Sequence, residues 1–122
     1  MLGHINNTVL IQYFDLGKMR YFEDILGKNF TQKGFSAVIV NINCDFFAPA
    51  FIDDDLEVRT ATVAMGDKSL TLEQRIVDSK TGEVKCASRT VMAGFDPVGL
   101  KSAPIGDKFT SAIAAFEANG SN

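Results

Sequence analysis

A single histidine, His4, in 122 residues excludes any site assembled from several histidines, and with it the common zinc enzymes. The two cysteines, Cys44 and Cys86, lie in different strand-like segments without CxxC spacing or a neighbouring histidine. That placement argues against metal ligation and redox chemistry and for buried free thiols. No apolar run reaches the ~18 residues of a membrane span. The start of the chain lacks the basic segment and unbroken apolar stretch of a secretory signal. The expectation is therefore a soluble cytoplasmic protein with no membrane partner. Charge of one sign is never collected in blocks: the formal net charge of -3 is spread along the chain, so no basic patch suits a phosphate backbone and nucleic acid is not an expected partner. No Pro-, Gly- or Ser-rich stretch divides the sequence. Residues 1–122 have the length and apolar content of one domain with one core.

Within that frame, Thr8 to Leu26 is free of proline and stops at Gly27, a residue suited to the left-handed conformation that ends helices. Leu10, Phe14, Gly17, Tyr21 and Ile25 share one face, and Val9, Ile11, Leu16, Met19, Phe22 and Leu26 spread apolar character around the rest, which predicts a helix in the interior of its domain. Asn6 and Asn7 stand where a side chain can cap its start. Ala37–Phe47 is rich in β-branched and aromatic residues and ends before Pro49. From Asp55 to Met65, Leu56 and Val58 oppose Glu57 and Arg59; from Ser69 to Val77, Leu70, Leu72 and Gln74 oppose Thr71, Glu73 and Arg75. Glu83–Phe95 opens with Val84 and Cys86 inward and Lys85 outward. Turns at Gly66-Asp67 and Lys80-Thr81-Gly82 join the last three strands into an antiparallel meander. Asp107–Ala118 reads as a short terminal helix with Phe109, Ile113 and Phe116 on one side, and Asn119–Asn122 as a frayed end. The fold class is α+β, with one helix against one face of a sheet.

Gly3-His4-Ile5-Asn6-Asn7, followed by Tyr13-Phe14-Asp15 and Lys18, resembles the GHVNN…YFE…R signature of the 4-hydroxybenzoyl-CoA thioesterase-like hotdog family. Phe47-Ala48-Pro49-Ala50 with Asp55-Leu56-Glu57-Val58, Gly66-Asp67-Lys68-Ser69 and Lys101-Ser102-Ala103-Pro104 resemble further family segments in the family's order, so the likeness covers Gly3 to Pro104. The resemblance implies a hotdog fold, a long central helix wrapped by a curved antiparallel sheet. It also implies hydrolysis of an acyl-CoA thioester by a homodimer or dimer of dimers. Coenzyme A enters as part of the substrate, and no separate cofactor or metal is implied. Pairing two subunits would cover the open edges that one curved sheet leaves.

Thioester hydrolysis needs a carboxylate, to attack or to activate water, and donors aimed at the developing oxyanion. Backbone N–H groups at Asn7 and Thr8, at the positive end of a helix dipole, supply the donors, and Gly3, His4 and Asn6 lie beside them to position substrate. His4 and Asn6 equally suit plain capping or packing roles. In the family pattern an Asp precedes Gly-His by three residues. Here that place falls before Met1, so the chain is expected to lack the catalytic Asp and most of the first strand. The internal substitute is Asp15, with an ion pair to Lys18 or Arg20, or a hydrogen bond to the sheet, as its structural reading. Lys68 and Ser69 resemble the family's CoA-facing turn, with Arg89 or Lys101 assisting at the phosphates. Glu73 reads as a cross-strand partner, and Asp53-Asp54-Asp55 as a wet strand opening rather than a cation site. The rival functions are a non-catalytic acyl-CoA or acyl-carrier-protein binding module, favoured by the missing Asp, and a hotdog activity on acyl-carrier protein, for which this acidic chain offers no basic docking surface.

Overall fold

The computed structural model describes residues 3–120. Helix α1 spans Asn7–Leu26 and is followed by strands β1 (Ala37–Phe46), β2 (Leu56–Met65), β3 (Ser69–Asp78) and β4 (Val84–Asp96), a two-residue β5 (Lys101–Ser102), and helix α2 (Asp107–Gly120). The strands pair antiparallel in the order β1-β4-β3-β2, and β5 adds to the end of β4. This is the helix-and-meander architecture that the alternation predicts, and α2 continues through Asn119 and Gly120, where fraying is expected from sequence. Ser121 and Asn122 lie outside the described residues, as do Met1 and Leu2 and the first strand expected ahead of them.

The inward face of the sheet follows the predicted phase. Leu70, Leu72, Gln74 and Ile76 of β3 and Cys86, Ser88, Thr90 and Met92 of β4 are buried beneath α1. Lys85 departs from it: expected outward, it is buried, because the β3–β4 register shifts between Ile76 and Val77 and its ammonium meets Asp54 at 3.5 Å and Glu83 at 2.5 Å. Two acids satisfy a cation that alternation alone would send to water.

The core has two lobes. Tyr21, Phe22, Phe30, Phe35, Leu70, Leu72, Met92, Phe109 and Ile113 form the larger one at the C-terminal half of α1, and Leu10, Phe14, Ala50, Ile76 and Cys86 a smaller one near its start. Gly17 lets the helix approach β2: a Cβ there would lie 2.6 Å from Val58 Cγ1. The all-round burial expected of α1 is not met within one chain. Ile11, Leu16 and Met19 stay exposed, because the sheet covers one side of the helix only.

Both long edges of the sheet are informative. β1 exposes Val38, Ile39, Val40, Ile42 and Phe46. At the other edge, the Ser79 N–H donates to the Asp55 carbonyl, so the antiparallel alternation turns the backbone groups of Leu56, Val58, Thr60 and Thr62 away from β3. The Thr62 N–H is taken by Glu117 Oε2 of α2 at 3.0 Å and lies 3.1 Å from the Tyr21 hydroxyl, which itself hydrogen-bonds Glu117. No strand lies outside β2 among the described residues.

Candidate active site

Gly3, with φ +81°, and Ile5 flank a short antiparallel pairing of His4 with Phe51: the Ile5 N–H donates to Ala50 O at 2.7 Å and the Ile52 N–H to Gly3 O at 3.0 Å. That pairing fixes the segment entering α1. Asn6, extended at φ -64° and ψ 140°, caps the helix, its side chain accepting from the Thr8 N–H at 3.0 Å and its carbonyl from Val9 and Leu10. Of the two backbone donors expected to be open, Thr8 is thus occupied by the cap. The Asn7 N–H has no hydrogen-bond partner among the described residues. Gly3, His4, Asn6, Asn7 and Thr8 are all exposed, so the start of α1, the positive end of its dipole, lies at the surface.

Asp15 is on the same helix but elsewhere. Eight residues separate it from Asn7, ~12 Å at 1.5 Å per residue, so the two groups of one chain do not meet at one carbonyl. Its carboxylate is 61% exposed and lies 3.4 Å from Lys18 Nζ, the ion pair foreseen from the sequence. Lys68 and Ser69 form the exposed β2–β3 turn, where Gly94 donates to Lys68 O and Ile105 to Asp67 O. Ser69 stands at the far end of β3 from Ile76, which packs under the helix start. Seven strand residues span ~23 Å. Lys68 and Ser69 therefore do not join His4 and Asn6 in a single compact site. Arg89 and Glu73 pair at 3.4 Å on the outer face, both half-exposed, and Lys101 is exposed on β5.

Asp54 is the acid beside the helix-entry segment, and it is already engaged: its Oδ2 accepts from the Phe51 N–H at 2.8 Å and faces Lys85. Reading Asp53-Asp54-Asp55 as a wet strand opening misses this, since the partner arrives from β4, about thirty residues later. Glu83 holds the Lys85 ammonium charged to higher pH than usual, with Asp54 adding to the effect against the opposing cost of burial. Burial pushes the Cys86 thiol up to about 11 and raises Cys44 as well, the Lys18 charge partly opposing the latter; both thiols are free. Cys86 is buried as expected, whereas Cys44 is only half-buried, and with raised thiol values neither is poised as a nucleophile.

Two cavities flank α1. One, of about 730 Å³, runs along the open edge of β2 between Tyr13, Gly17, Arg20, Leu56, Val58 and Thr60. The other, of about 600 Å³, lies between α1, the loop after it and β1, against Lys18, Phe22, Phe30, Phe35 and Met92. Neither was located by the sequence, because both arise where elements distant in the chain fail to close on each other.

A long helix on the concave face of a curved antiparallel sheet, its N-terminus open beside a histidine, defines a hotdog domain of the thioesterase type. The chain belongs to the Thioesterase-like superfamily, whose profile matches residues 1–113. It is similar to a thioesterase of Thermus thermophilus crystallised with coenzyme A and Zn, with 27% identity and a TM-score of 0.82 over 97% of this chain and 84% of that one. It is also similar to a predicted thioesterase of Bacillus stearothermophilus, with 25% identity and a TM-score of 0.82 over 93% and 84% of the two chains. A 1,4-dihydroxy-2-naphthoyl-CoA thioesterase of Synechocystis shares the fold at 18% identity, with a TM-score of 0.82 over 94% of this chain and 86% of that one. No curated protein matches the chain significantly.

Proposed function

We propose that the protein is an acyl-CoA thioesterase that holds the thioester carbonyl at the start of α1. The observation that supports this is the Asn7 N–H, without a hydrogen-bond partner among the described residues, at a capped helix N-terminus three residues after His4. Water adds to the carbonyl carbon as a carboxylate accepts its proton, the oxyanion is stabilised by the Asn7 amide and the helix dipole, and collapse expels the CoA thiolate, which takes up a proton. His4 and the Asn6 side-chain amide orient the carbonyl. Coenzyme A bound to the Thermus relative supports the substrate class.

The resemblance to the family assigns the carboxylate to an Asp three residues ahead of Gly3. Asp15 is the alternative, acting on a thioester held by another subunit. The exposed apolar edge of β1 and the exposed Ile11 and Met19 of α1 favour a homodimer or dimer of dimers, in which Lys68 and Ser69 reach the CoA of a neighbouring site.

Free-thiol release from short, medium, long and aromatic acyl-CoAs tests the reading, with this chain and a version extended through the upstream Asp compared side by side. Activity confined to the extended version assigns the upstream Asp, whereas activity in both that is lost in Asp15→Asn assigns Asp15. The second reading, a binding module without turnover, draws on the ~12 Å between Asp15 and the free amide. Saturable acyl-CoA binding with no thiol release from either version would establish it.

A further inference from the structure

The segment entering α1 rests on the loop between β1 and β2, residues 47–55: the Ile5 N–H donates to Ala50 O, the Ile52 N–H donates to Gly3 O, and Ala50 is fully buried. The placement of that loop is set from β4. The Lys85 carbonyl accepts from the Phe47 and Ala48 N–H groups at 2.9 and 3.2 Å. The ammonium of the same residue lies 3.5 Å from Asp54 Oδ2, the oxygen that accepts from the Phe51 N–H at 2.8 Å. Lys85 thus grips both ends of the loop, one through its backbone and the other through its charge. Its side chain is 7% exposed and that of Asp54 19%, whereas Glu83, the second acid on the ammonium, is 53% exposed. A charge withdrawn from water holds its partner in one geometry, because leaving either charge uncompensated is costly. From Lys85 the contacts run through Asp54 and Phe51 to the His4 pairing, and so to the start of α1.

We propose that Lys85 and Asp54 are positioning residues for the thioester: their ion pair fixes Ala50–Ile52, and through that segment the placement of His4 and of the Asn7 amide. Committed to the Phe51 N–H and to Lys85, the Asp54 carboxylate is an orienting group and not the base that activates water. A misplacement of about 1 Å caused far from the reacting bond can cost on the order of 100-fold in rate, which is the scale on which such a bracket matters. The thioester part of the proposal rests on the hydrolase reading; the bracket does not, since it concerns the chain's own contacts.

Amide hydrogen exchange at Ile5 and Ile52 reads the bracket directly. Lys85→Met and Asp54→Ala should each quicken both amides tenfold or more. Asp54→Asn, nearly isosteric and the variant that folds most readily, keeps an acceptor for Phe51 but loses the charge, and should fall between them and the parent. Ile113→Ala empties the larger core lobe and is the control for stability lost without touching the loop; it should leave these two amides within threefold of the parent. In whichever version of the chain releases thiol, Lys85→Met should lower kcat tenfold or more with KM within threefold, and Ile113→Ala should keep both. Unmoved Ile5 and Ile52 amides in the Lys85 and Asp54 variants, or an equal rise in Ile113→Ala, would overturn the bracket and leave the ion pair a matter of stability alone. Quickened amides with undiminished kcat would overturn the positioning role. Thiol release from neither version would sink the hydrolase reading, and exchange would still decide the bracket.

Discussion

Tyr21 and Phe22, in the last turns of α1, sit among Phe30, Phe35, Leu70, Leu72, Met92, Phe109 and Ile113, whereas Leu10 and Phe14 in the first turns rest on Ala50, Ile76 and Cys86. The heavier lobe draws on the loop after α1, β3, β4 and α2 together. The lighter lobe holds the end of the helix that carries the free amide. A helix anchored at one end and thinly covered at the other can present its N-terminus to substrate without loosening the domain, since burial of apolar area is what stabilises the assembly. The sharpest way to break this contrast is to empty each lobe. Phe22→Ala should cost about 3–5 kcal/mol and Leu10→Ala about 2–3 kcal/mol, both near the ranges for fully buried side chains. Urea unfolding of the two variants decides it, and equal or inverted losses would mean that the two ends of α1 are anchored alike.

Between the lobes, the clasp of Tyr21, Thr62 and Glu117 ties α1 and α2 to the open edge of β2. Tyr21→Phe removes a hydroxyl bonded to a carboxylate and should cost about 1.5–3 kcal/mol. Burial and then the Glu117 hydrogen bond push the Tyr21 hydroxyl well above its ordinary value. The folded state therefore holds that proton more tightly than the unfolded one. Its contribution is complete below pH ~10 and is lost as pH rises from there toward the folded-state value. Lys85, raised in the same direction, adds to this alkaline loss. Alkaline titration of stability should accordingly be shallower in Tyr21→Phe than in the parent; a superimposable curve would remove Tyr21 from the account. Next in size is Gly17→Ala. The new methyl would sit 2.6 Å from Val58 Cγ1 and 3.0 Å from Gln74 Nε2, so overpacking of about 1–3 kcal/mol outweighs the ~1 kcal/mol gained in helix propensity. Pairing it with Val58→Ala should restore most of the loss in a double-mutant cycle.

How much of this was legible in the sequence depends on how local the signal is. The alternation of Leu70, Leu72 and Gln74 against Thr71, Glu73 and Arg75 placed the inward face of β3 correctly, because a pleat has period two regardless of what lies across from it. Phe109 and Ile113 share a side at helical spacing, and α2 buries both. Lys85 was misplaced because a register shift and two acids from other segments decide its direction. The burial of Lys18 and the cavity beside it depend on β1 crossing from a residue range that its own helix does not reveal. The β5 pair was not anticipated, since Lys101 and Ser102 carry no alternation and are held only by Phe95 and Asp96. At the candidate site, the cap at Asn6 was readable from residue type and position, while the occupation of the Thr8 amide, which leaves Asn7 as the open donor, needed the backbone itself.

The smallest expected effect on stability falls at that cap, and it is also the one that separates a structural from a catalytic role. Asn6 Oδ1 accepts the Thr8 N–H, which leaves its Nδ2 free to donate. Asn6→Ala removes both functions and should cost about 1 kcal/mol in thermal or urea unfolding. Asn6→Asp keeps the acceptor, adds a charge that the helix dipole favours, and removes only the donor. Its stability should therefore equal or exceed the parent's. If the Nδ2 donor orients the thioester carbonyl, thiol release in Asn6→Asp should nonetheless fall by tenfold or more, the added negative charge beside the oxyanion working in the same direction. Full activity in Asn6→Asp together with a stable fold would leave Asn6 a cap alone, and the positioning of the carbonyl would pass to His4 and the Asn7 amide.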